Sequence, residues 1–460
     1  MKRRGAVLLF AVVAAVGLYA VPAGAEGYRG SRARLLVVDD DPGRRTCHGK
    51  HHRRFHTIQG AVDKADPGDT IKVCPGRYEE IVTVTEPDIT IRGANAGRDA
   101  TGHYRGPESI VAGRQGRMAA GLVQLRADDI TWDGFTILGA PGQQNNPPGM
   151  YTDPAHSGYL VRDTIFQDNG IGIHLGASGE RPTLICRNRF VANNEFDPTG
   201  GYGIYSNKGA RQVLITANRF ERHNAAAIFF ADQGAEQRDL IIEDNKSVDD
   251  LSFLTIYNSA RVRVTRNWIR ARVGDPVFKG PASAIFIGAR NDDIAVYKNK
   301  VVAASGNGID VTNTGERGPT TAPPTNVVVR RNKVAHVQKS GIEVSATGIR
   351  QYQVLGNRSN DNADFGIHFA PGTNGGTVTG NTALGNELDC KDQSTGLLNT
   401  WTGNTGRTAD PGTICSLPTV DDPDGKDHGS KHHKKHHKKK TKKQKKHRPD
   451  PCRCTLPWRY

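Results

Sequence analysis

A short pattern recurs from the middle of the chain onward, at a spacing of roughly 28 residues. It consists of an aliphatic residue, two further residues, Asn, one more residue and a second apolar residue. The Asn positions are Asn188, Asn218, Asn245, Asn267, Asn299, Asn332, Asn357 and Asn381, and we assign Asp133 and Asp163 to the same position in two upstream copies. Such a repeat is typical of a solenoid, in which each unit buries its apolar side only against its neighbours.

A second apolar element lies in almost every interval between these copies. Gly172-Ile173-His174, Gly203-Ile204-Tyr205 and Gly366-Ile367-His368 are examples. Strands this short bury a core only when stacked coils share it. Asn suits the corner because it tolerates a left-handed backbone and can bond an identical Asn on the next coil. The sequence therefore predicts an all-β fold, a single-stranded parallel β-helix.

The two ends of the chain differ from this repeat. Lys2-Arg3-Arg4, an apolar run from Ala6 to Val21 and Ala23-Gly24-Ala25 predict a signal peptide over residues 1–25. We expect a secreted protein, extracellular or associated with the cell wall. No later stretch is long and apolar enough to predict a transmembrane span. Residues 26–54 are expected to be irregular, and residues 416–460 to form a disordered tail rich in Lys and His.

The net charge of +15 belongs to these ends. The tail from Lys426 onward carries +12 and the signal peptide +3, so residues 26–425 are neutral overall. Residues 431–447 are expected to adhere to a cell-wall polyanion by charge. No base-reading element accompanies them, so a specific nucleic-acid partner is not expected.

Seven cysteines in an exported chain predict disulfide bonds. Cys47 and Cys74 bracket the N-terminal end of the repeat region, and Cys390 and Cys415 bracket its C-terminal end, so we expect each pair to bond. Cys186 falls within a strand and is expected to be a free thiol. For Cys452 and Cys454 an intermolecular bond and a short metal site both remain open.

The beginning of the repeat region resembles a known family. A helical pattern from His56 to Ala65, a strand and turn from Thr70 to Tyr78, and the run Ile89-Thr90-Ile91-Arg92-Gly93 resemble the opening cap of pectin-lyase-like right-handed β-helix proteins, the carbohydrate-binding and sugar-hydrolase repeat superfamily. With the repeats, the resemblance covers about residues 55–415. It implies that this domain is a right-handed parallel β-helix with an N-terminal helical cap, and that its partner is an extracellular polysaccharide.

Two columns of outward-facing side chains follow from the stacking. If the Ile of each short strand points inward, the next residues form a column of His174, Tyr205, Phe229, Tyr257, Phe286, Asp310, Glu343 and His368. The residues after each repeated Asn form a second column of Arg189, Arg219, Lys246, Trp268, Lys300, Lys333 and Arg358.

Each column admits a binding role and a structural one. The first column suits sugar rings and hydroxyl groups, and the second suits an anionic polysaccharide. We therefore predict substrate contacts at Phe229, Tyr257, Phe286, Arg219, Lys300 and Lys333. Alternatively, stacked aromatic rings stabilise the sheet, and long basic stems cover the coil edge while Glu243, Asp244 and Asp250 neutralise some of their charges.

Two clusters could carry catalysis. Asp310, Glu343 and His368 fall on consecutive coils, where the acids can share a proton or bind Ca²⁺. His174, Tyr205 and Lys208 supply the base and partner groups that proton abstraction from a uronate C5 requires. Nearby, the run Tyr151-Thr152-Asp153-Pro154-Ala155-His156 resembles the Tyr, Asp-Pro-His signature of mannuronan epimerases, with Ala155 inserted before the His.

Motif absences narrow the reaction class. The sequence lacks the Asn-Thr-Asp, paired Asp, His-Gly and Arg-Ile-Lys set of polygalacturonases. If the protein is an enzyme, a polysaccharide lyase or a uronate epimerase is favoured over a polygalacturonase-type hydrolase. The alternative is a non-catalytic cell-surface or cell-wall protein that binds polyanions or has a structural role.

Overall fold

The computed structural model describes residues 33–41, 47, 53–102, 104–113, 120–140, 148–194, 201–274, 282–316, 318–320, 322–349, 351–394, 399–418 and 452. The predicted signal peptide lies outside these residues. So does the predicted tail, apart from residues 416–418 and 452.

The described strands stack into three parallel sheets that the chain visits in turn on each coil. In stacking order, sheet 1 contains Arg53–Phe55, Leu35–Val38, Thr70–Val73, Thr90–Arg92, Thr131–Asp133, Leu160–Arg162, Thr183–Cys186, Arg211–Thr216, Gln237–Glu243, Ser259–Thr265, Asp292–Tyr297, Thr325–Arg330, Gln353–Leu355, Thr377–Thr379 and Thr400–Thr402.

The other two sheets complete each coil. Sheet 2 contains Gly76–Tyr78, Ser109–Ala112, Thr136–Leu138, Ile165–Gln167, Arg189–Val191, Arg219–Glu221, Lys246–Val248, Trp268–Arg270, Lys300–Val301, Lys333–Ala335 and Arg358–Asn360. Sheet 3 contains Val82–Val84, Val123–Leu125, Pro148–Thr152, Ile171–His174, Tyr202–Lys208, Ala226–Ala235, Ser252–Ile256, Ile285–Ile287, Ile309–Val311, Ile342–Val344, Phe365–Phe369, Leu388–Asp392 and Ala409–Asp410. A separate antiparallel hairpin pairs Thr314–Gly315 with Gly318–Pro319.

The stack begins earlier in the chain than the sequence predicted. Residues 26–54, expected to be irregular, contain the strand Leu35–Val38, which pairs in parallel with Thr70–Val73 and with Arg53–Phe55. Its aliphatic side chains extend the core, so this segment forms part of the first coil. The predicted helix is present as Ile58–Val62, and the Thr57 hydroxyl caps it by accepting a hydrogen bond from the Gly60 amide at 3.1 Å. Ile58 and Ala61 are fully buried and close the end of the core.

One core runs along the whole stack. The inward side chains of sheet 1, such as Val161, Ile185 and Ile215, belong to it. On sheet 2, Phe166, Phe190 and Phe220 stack with ring centroids 4.9 and 4.8 Å apart. Because each coil buries apolar side chains against the next, the core grows with the number of coils.

A ladder of buried Asn side chains joins the coils at the corner between sheets 1 and 2. Its members are Asn188, Asn218, Asn245, Asn267, Asn299, Asn332, Asn357, Asn381 and Asn404. Each Nδ2 up to Asn381 donates to the Oδ1 of the next Asn, for example at 3.0 Å from Asn267 to Asn299. The left-handed backbone that we expected at Asn lies on the preceding residue, as at Arg266 with φ 56°. The turn is therefore made before the Asn, whose side chain carries the hydrogen bonds.

The assignment of Asp133 and Asp163 to this ladder was wrong. Asp163 lies one residue before the ladder position, and the Thr164 amide takes that position by donating to Asn188 Oδ1 at 3.0 Å. Each of the two carboxylates instead accepts from an Arg: Asp133 from Arg162 at 2.8 Å and Asp163 from Arg187 at 2.6 Å. An ionised carboxylate has no donor, so it cannot replace the amide N–H that each rung needs.

Three disulfide bonds join described cysteines. Cys47–Cys74 and Cys390–Cys415 form as predicted, with Cα atoms 5.5 and 6.3 Å apart. Cys186 is not a free thiol, because it bonds Cys452 across a sequence separation of 266. This bond also replaces the intermolecular and metal-site alternatives for Cys452. The sequence pattern missed it because Cys186 points outward, where it and Leu184 form a cluster with Cys452 separate from the main core.

Candidate functional site

The outward column of sheet 3 runs along the stack with one residue from each coil. In register, it comprises Thr83, Gln124, Tyr151, His174, Tyr205, Phe229, Thr255, Phe286, Asp310, Glu343, His368 and Lys391. Neighbouring strands lie about 4.8 Å apart, so the column from Tyr151 to Lys391 is about 43 Å long. Seven of its members are those that the sequence predicted.

Tyr257 does not occupy the predicted position. Leu254, and not Ile256, lies opposite Ile228 and Ile285, so Thr255 falls in the column and Tyr257 lies two residues further on. The sequence pattern did not distinguish Leu254 from Ile256, because both side chains point inward and either can occupy the Ile position of the repeat. The Tyr257 ring nevertheless covers the gap beside Thr255, with its centroid 5.9 Å from that of Phe229 and 5.6 Å from that of Phe286.

Five aromatic side chains therefore form a continuous surface, which we call the aromatic patch: Tyr202, Tyr205, Phe229, Tyr257 and Phe286. Tyr205 and Phe229 stack at 5.8 Å with an interplanar angle of 20°. Except for the more deeply buried Tyr257, the rings are half-buried. Part of each of these half-buried rings stays exposed on the outward face of sheet 3, and we call the face along this column the sheet 3 groove.

His174 and Tyr205 meet at the N-terminal side of the aromatic patch. Their ring centroids lie 5.4 Å apart, and His174 Nε2 lies 2.9 Å from Asn207 Oδ1. Burial lowers the pKa of His174, and the nearby Lys208 ammonium lowers it further. Burial also raises the pKa of Tyr205, with help from the charge of Glu316. The imidazole is thus held neutral and the phenol protonated.

Lys208 lies near this pair, whereas Arg126 lies beyond Tyr151. Lys208 ends the strand of Tyr205 and is exposed. Arg126 lies 5.2 Å from the centroid of the Tyr151 ring, which itself packs edge-on to His174 at 5.8 Å. The structure thus brings together the three predicted residues His174, Tyr205 and Lys208.

The epimerase-like run is only partly gathered at this place. Tyr151 lies beside His174 in the column. Asp153 pairs with Arg126 at 3.3 Å, whereas His156 faces Asp128 at 3.6 Å beyond the strand end. His156 is therefore not part of the His174 cluster. The inserted Ala155 lies between Asp153 and His156, the two residues that point to different partners.

Asp310, Glu343 and His368 form a second cluster on consecutive coils. His368 Nδ1 lies 2.8 Å from Glu343 Oε1, and its Nε2 lies 2.9 Å from Gln393 Oε1. Asp310 Oδ2 accepts from Ser283 Oγ at 2.9 Å and from Asn307 Nδ2 at 3.1 Å.

The environment of Asp310 favours its neutral form. Burial raises the pKa of Asp310 to about 6, and the charge of Glu343 adds to the rise. Asp310 Oδ1 is buried and has no hydrogen-bond partner among the described groups. Because Oδ2 already accepts two hydrogen bonds, Oδ1 is the oxygen that carries the proton in the neutral form.

Sequence reasoning missed Asn207, Gln393, Glu316 and Asp232 around these clusters. The Glu316 amide in the antiparallel hairpin donates to Asp232 Oδ2 at 3.1 Å, and Arg290 lies 3.4 Å from the same oxygen. The charge of Glu316 raises the pKa of both Tyr205 and Tyr257 after the larger effect of burial. Glu316 and Tyr205 are too far apart in sequence for a pattern to join them. The lengthened interval between Asp310 and Glu343 was the available signal.

The basic column lies on sheet 2 and not beside the aromatic patch. Its members are in register as expected: Arg189, Arg219, Lys246, Trp268, Lys300, Lys333 and Arg358. The structure therefore separates two sets of predicted substrate contacts. Phe229, Tyr257 and Phe286 face one side of the stack, and Arg219, Lys300 and Lys333 face another.

Some charges of this column are neutralised, though not by the acids that we expected. Glu221 pairs with Arg189 at 2.7 Å and also with Arg219. Although burial opposes ionisation, these two cations lower the pKa of Glu221. Glu243 and Asp244 pair with Arg266, and Asp250 is buried against His223 at 2.6 Å.

The described part of the chain contains no preformed site for the Ca²⁺ that the sequence suggested. No group of three or more His, Cys, Asp or Glu side chains there is arranged to hold a metal ion. At the acidic cluster, His368 uses Nδ1 to contact Glu343, so these two groups face each other. In the same described residues, no helix is long and apolar enough to cross a membrane.

Comparison with known proteins agrees with the described architecture. Residues 151–322 match the family model of the right-handed β-helix region. This part of the chain is a right-handed β-helix. The match confirms the predicted fold class and the fold that the opening cap implied. None of the curated proteins matches the sequence.

Solved structures similar to this β-helix include three carbohydrate-related proteins. The A-module of mannuronan C-5 epimerase AlgE6 from Azotobacter vinelandii has 14% identity, covering 76% of this chain and 89% of that one, with a TM-score of 0.44. A PL6 alginate lyase in complex with a trisaccharide has 13% identity, with coverages of 78% and 82% and a TM-score of 0.49. The catalytic unit of a GH87 α-1,3-glucanase from Streptomyces thermodiastaticus has 16% identity, with coverages of 83% and 70% and a TM-score of 0.46.

Proposed function

We propose that the groove on sheet 3 binds an extracellular, uronate-containing polysaccharide and that His174 and Tyr205 transfer protons at C5 of a bound uronate. The observation that carries this proposal is a neutral imidazole and a protonated phenol whose ring centroids lie 5.4 Å apart, close to Lys208. A base and an acid that both keep the required protonation state near pH 7 are what C5 chemistry needs.

The groove fits a linear polymer. Its outward column runs along the stack for about 43 Å, and the aromatic patch offers several ring faces in succession. Sugar rings have apolar faces that can stack on aromatic rings, while their hydroxyl groups bond polar neighbours. A chain lying along the column would contact the His174 cluster and the aromatic patch together.

The imidazole is oriented for proton abstraction. Asn207 Oδ1 can only accept, so His174 Nε2 carries the proton that it donates, and Nδ1 has the free lone pair. In the proposed step Nδ1 takes the C5 proton, and the positive charge of Lys208 stabilises the negative charge that spreads onto the uronate carboxylate.

Two products can follow from the same intermediate. If Tyr205 donates its proton to the opposite face of C5, the uronate is epimerised. If Tyr205 instead protonates the bridging oxygen at C4, the C4–O bond breaks and a C4–C5 double bond forms, so the reaction is a lyase elimination. Both reactions leave His174 protonated and Tyr205 deprotonated, and a proton exchange resets the pair.

To test the proposal, the mature protein is incubated with anionic and neutral polysaccharides. The reaction is followed by absorbance at 235 nm and by an assay of reducing ends. For a lyase we expect absorbance at 235 nm with an anionic chain, and for an epimerase a change in C5 configuration by NMR without cleavage. Tyr205→Phe should reduce turnover at least 100-fold while binding changes less than threefold. Wild-type turnover in Tyr205→Phe would refute the assignment.

The acidic cluster supports a second candidate function, hydrolysis of a glycosidic bond. Asp310, whose pKa is raised to about 6, would protonate the leaving oxygen, and Glu343, held by His368, would activate water or attack the sugar. This function predicts new reducing ends without absorbance at 235 nm, and their loss in Asp310→Asn.

Retention outside the cell is part of the same proposal. The signal peptide would direct export, and the Lys and His residues of 431–447 would hold the protein near a cell-wall polyanion by charge. A variant with these Lys residues changed to Gln should dissociate from the cell-wall fraction at a lower salt concentration than the natural protein.

A further inference from the structure

Five exposed cations lie together where sheet 1 turns into sheet 2, and we call this surface the basic corner. Its members are Lys298, Lys300, Arg330, Arg331 and Lys333. They belong to two neighbouring coils, on which Tyr297 lies opposite Arg330 and Lys300 lies opposite Lys333. Equivalent positions on these coils are about 4.8 Å apart, so several like charges are held at close range.

The corner contains no compensating acid. Residues 294–302 and 327–335 include neither Asp nor Glu. None of the five cations forms an ion pair with an acid in the described ranges. Like charges at this spacing repel each other, and no acid among the described residues is paired with them to offset the repulsion.

On other coils, cations at the same corner form ion pairs with acidic side chains. Arg266 occupies the position equivalent to Lys298 and Arg331, and it pairs with Asp244 at 2.8 Å and Glu243 at 2.6 Å. Arg187, further along the corner, pairs with Asp163 at 2.6 Å. The corner therefore differs along the stack: Arg187 and Arg266 are paired with acids, whereas the five cations of the basic corner are not paired with an acid among the described residues.

Tyr297 adds a hydroxyl group to the basic corner. Lys298 Nζ lies 4.7 Å from the centroid of its ring. Hydrogen bonding by Lys298, and then by Arg331, lowers the pKa of Tyr297. Tyr297 therefore belongs to the same group of interacting side chains as Lys298 and Arg331.

We propose that the basic corner is a second binding site for a carboxylated or sulfated polysaccharide, on a different side of the stack from the sheet 3 groove. The choice of a polysaccharide rests on the function proposed above. Nucleic acid fits less well, because bases need free aromatic faces on which to stack. Lys298 lies over Tyr297, and Lys246 lies 5.1 Å from the centroid of the neighbouring Trp268 ring.

The site can be tested on the full chain by lysine acetylation with mass-spectrometric readout. The probes are polygalacturonate, heparin, neutral dextran and single-stranded DNA. We expect polygalacturonate or heparin to slow acetylation of Lys298, Lys300 and Lys333 at least fivefold, while exposed Lys64 of the cap and all rates in dextran stay unchanged. Unchanged rates at the three lysines, or protection by DNA alone, would overturn the proposal. Because each lysine is read separately, binding by the Lys-rich tail does not obscure the result.

Matched variants give an independent measurement. Arg331→Gln should weaken binding of the polymer that protects the lysines at least threefold. It should also reduce the slope of log affinity against log salt concentration by about one, because about one fewer counterion is released on binding. Arg266→Gln changes the same residue type at an equivalent backbone position, with φ 56° against 54°, but this Arg is already neutralised. Its affinity should stay within twofold of wild type, and equal losses in both variants would count against a localised site.

Failure of the proposed function would look different. If the groove is not catalytic, wild-type protein will show no C5 chemistry, yet acetylation of the basic corner will still be slowed. If instead the chemistry is present and the corner lysines are unprotected, the proposed function stands and the second site is wrong.

Discussion

His174 and Asn207 lie on adjacent coils of sheet 3, with imidazole Nε2 2.9 Å from amide Oδ1. This contact fixes which imidazole nitrogen carries the proton and leaves Nδ1 as the basic atom. Asn207 therefore acts as a positioning residue for the proposed base, and its chemistry can be changed without removing the contact.

Asn207→Asp should shift the pH profile of turnover. In the wild-type protein burial lowers the pKa of His174, so turnover should rise with pH through a midpoint below 6.5 and then stay level. A carboxylate at position 207 favours the imidazolium, so the acid limb should move up by about one pH unit. Activity at pH 8 should stay within threefold of wild type. A uniform loss at every pH would instead indicate structural damage.

The aromatic patch should contribute to sugar binding. Phe286→Ala removes a half-buried ring that contacts Tyr257 at 5.6 Å, and we expect about tenfold weaker binding of a fluorescent oligosaccharide, equivalent to about 1.4 kcal/mol.

Trp268→Ala is the matched control for the patch, because Trp268 is a half-buried aromatic residue on sheet 2. Its oligosaccharide affinity should stay within twofold of wild type. Equal losses in the two variants would argue against a groove on sheet 3.

Asp310 should make stability depend on pH. Its folded-state pKa of about 6 exceeds the ordinary value of 3.8, so the folded protein holds the proton to higher pH than the unfolded chain. The stability associated with that proton is complete below pH 4 and is lost as pH rises through 6, by up to about 3 kcal/mol. Asp310→Asn keeps the group neutral.

The measurement is urea unfolding of wild type and Asp310→Asn at pH 4 and pH 8. The variant should gain stability relative to wild type between these two pH values. A difference that does not change with pH would mean that Asp310 is not preferentially neutral in the folded protein.

Removing one Asn from the ladder should be costly. Asn267 Nδ2 donates to the Ile242 carbonyl at 2.9 Å, and its Oδ1 accepts from both the amide and the side chain of Asn245 at 3.0 Å. Asn267→Ala leaves these buried groups without partners, so the free energy of unfolding should fall by about 3 to 6 kcal/mol. Asn374→Ala, at an exposed position, should change it by less than about 0.5 kcal/mol. Denaturant unfolding of both variants makes the comparison.

Much of the fold could be predicted because the same sequence pattern occurs on many coils. The Asn188-to-Asn381 ladder and the alternating Ile positions recur on nearly every coil, so an error in one copy does not move the others. The exceptions have local causes. Asp163 resembles Asn in shape but lies one residue before the ladder position, and Leu254 and Ile256 both fit the inward position.

The site was harder to predict because it depends on contacts between coils. Column positions such as His174 and Tyr205 follow from the repeat, whereas Asn207 and Glu316 come from strand extensions and an inserted hairpin that break the period. The bond between Cys186 and Cys452 has the same origin, since nothing in the repeat relates two residues 266 positions apart.

The most direct test of proton transfer at C5 is exchange of the C5 proton in D₂O, followed by ¹H NMR on a uronate polysaccharide. Wild-type protein should exchange or eliminate this proton, and His174→Gln should slow the reaction at least 100-fold while its affinity for the polymer stays within threefold. Exchange at the wild-type rate in His174→Gln, or cleavage that leaves the C5 proton in place and depends on Asp310, would show that His174 is not the base.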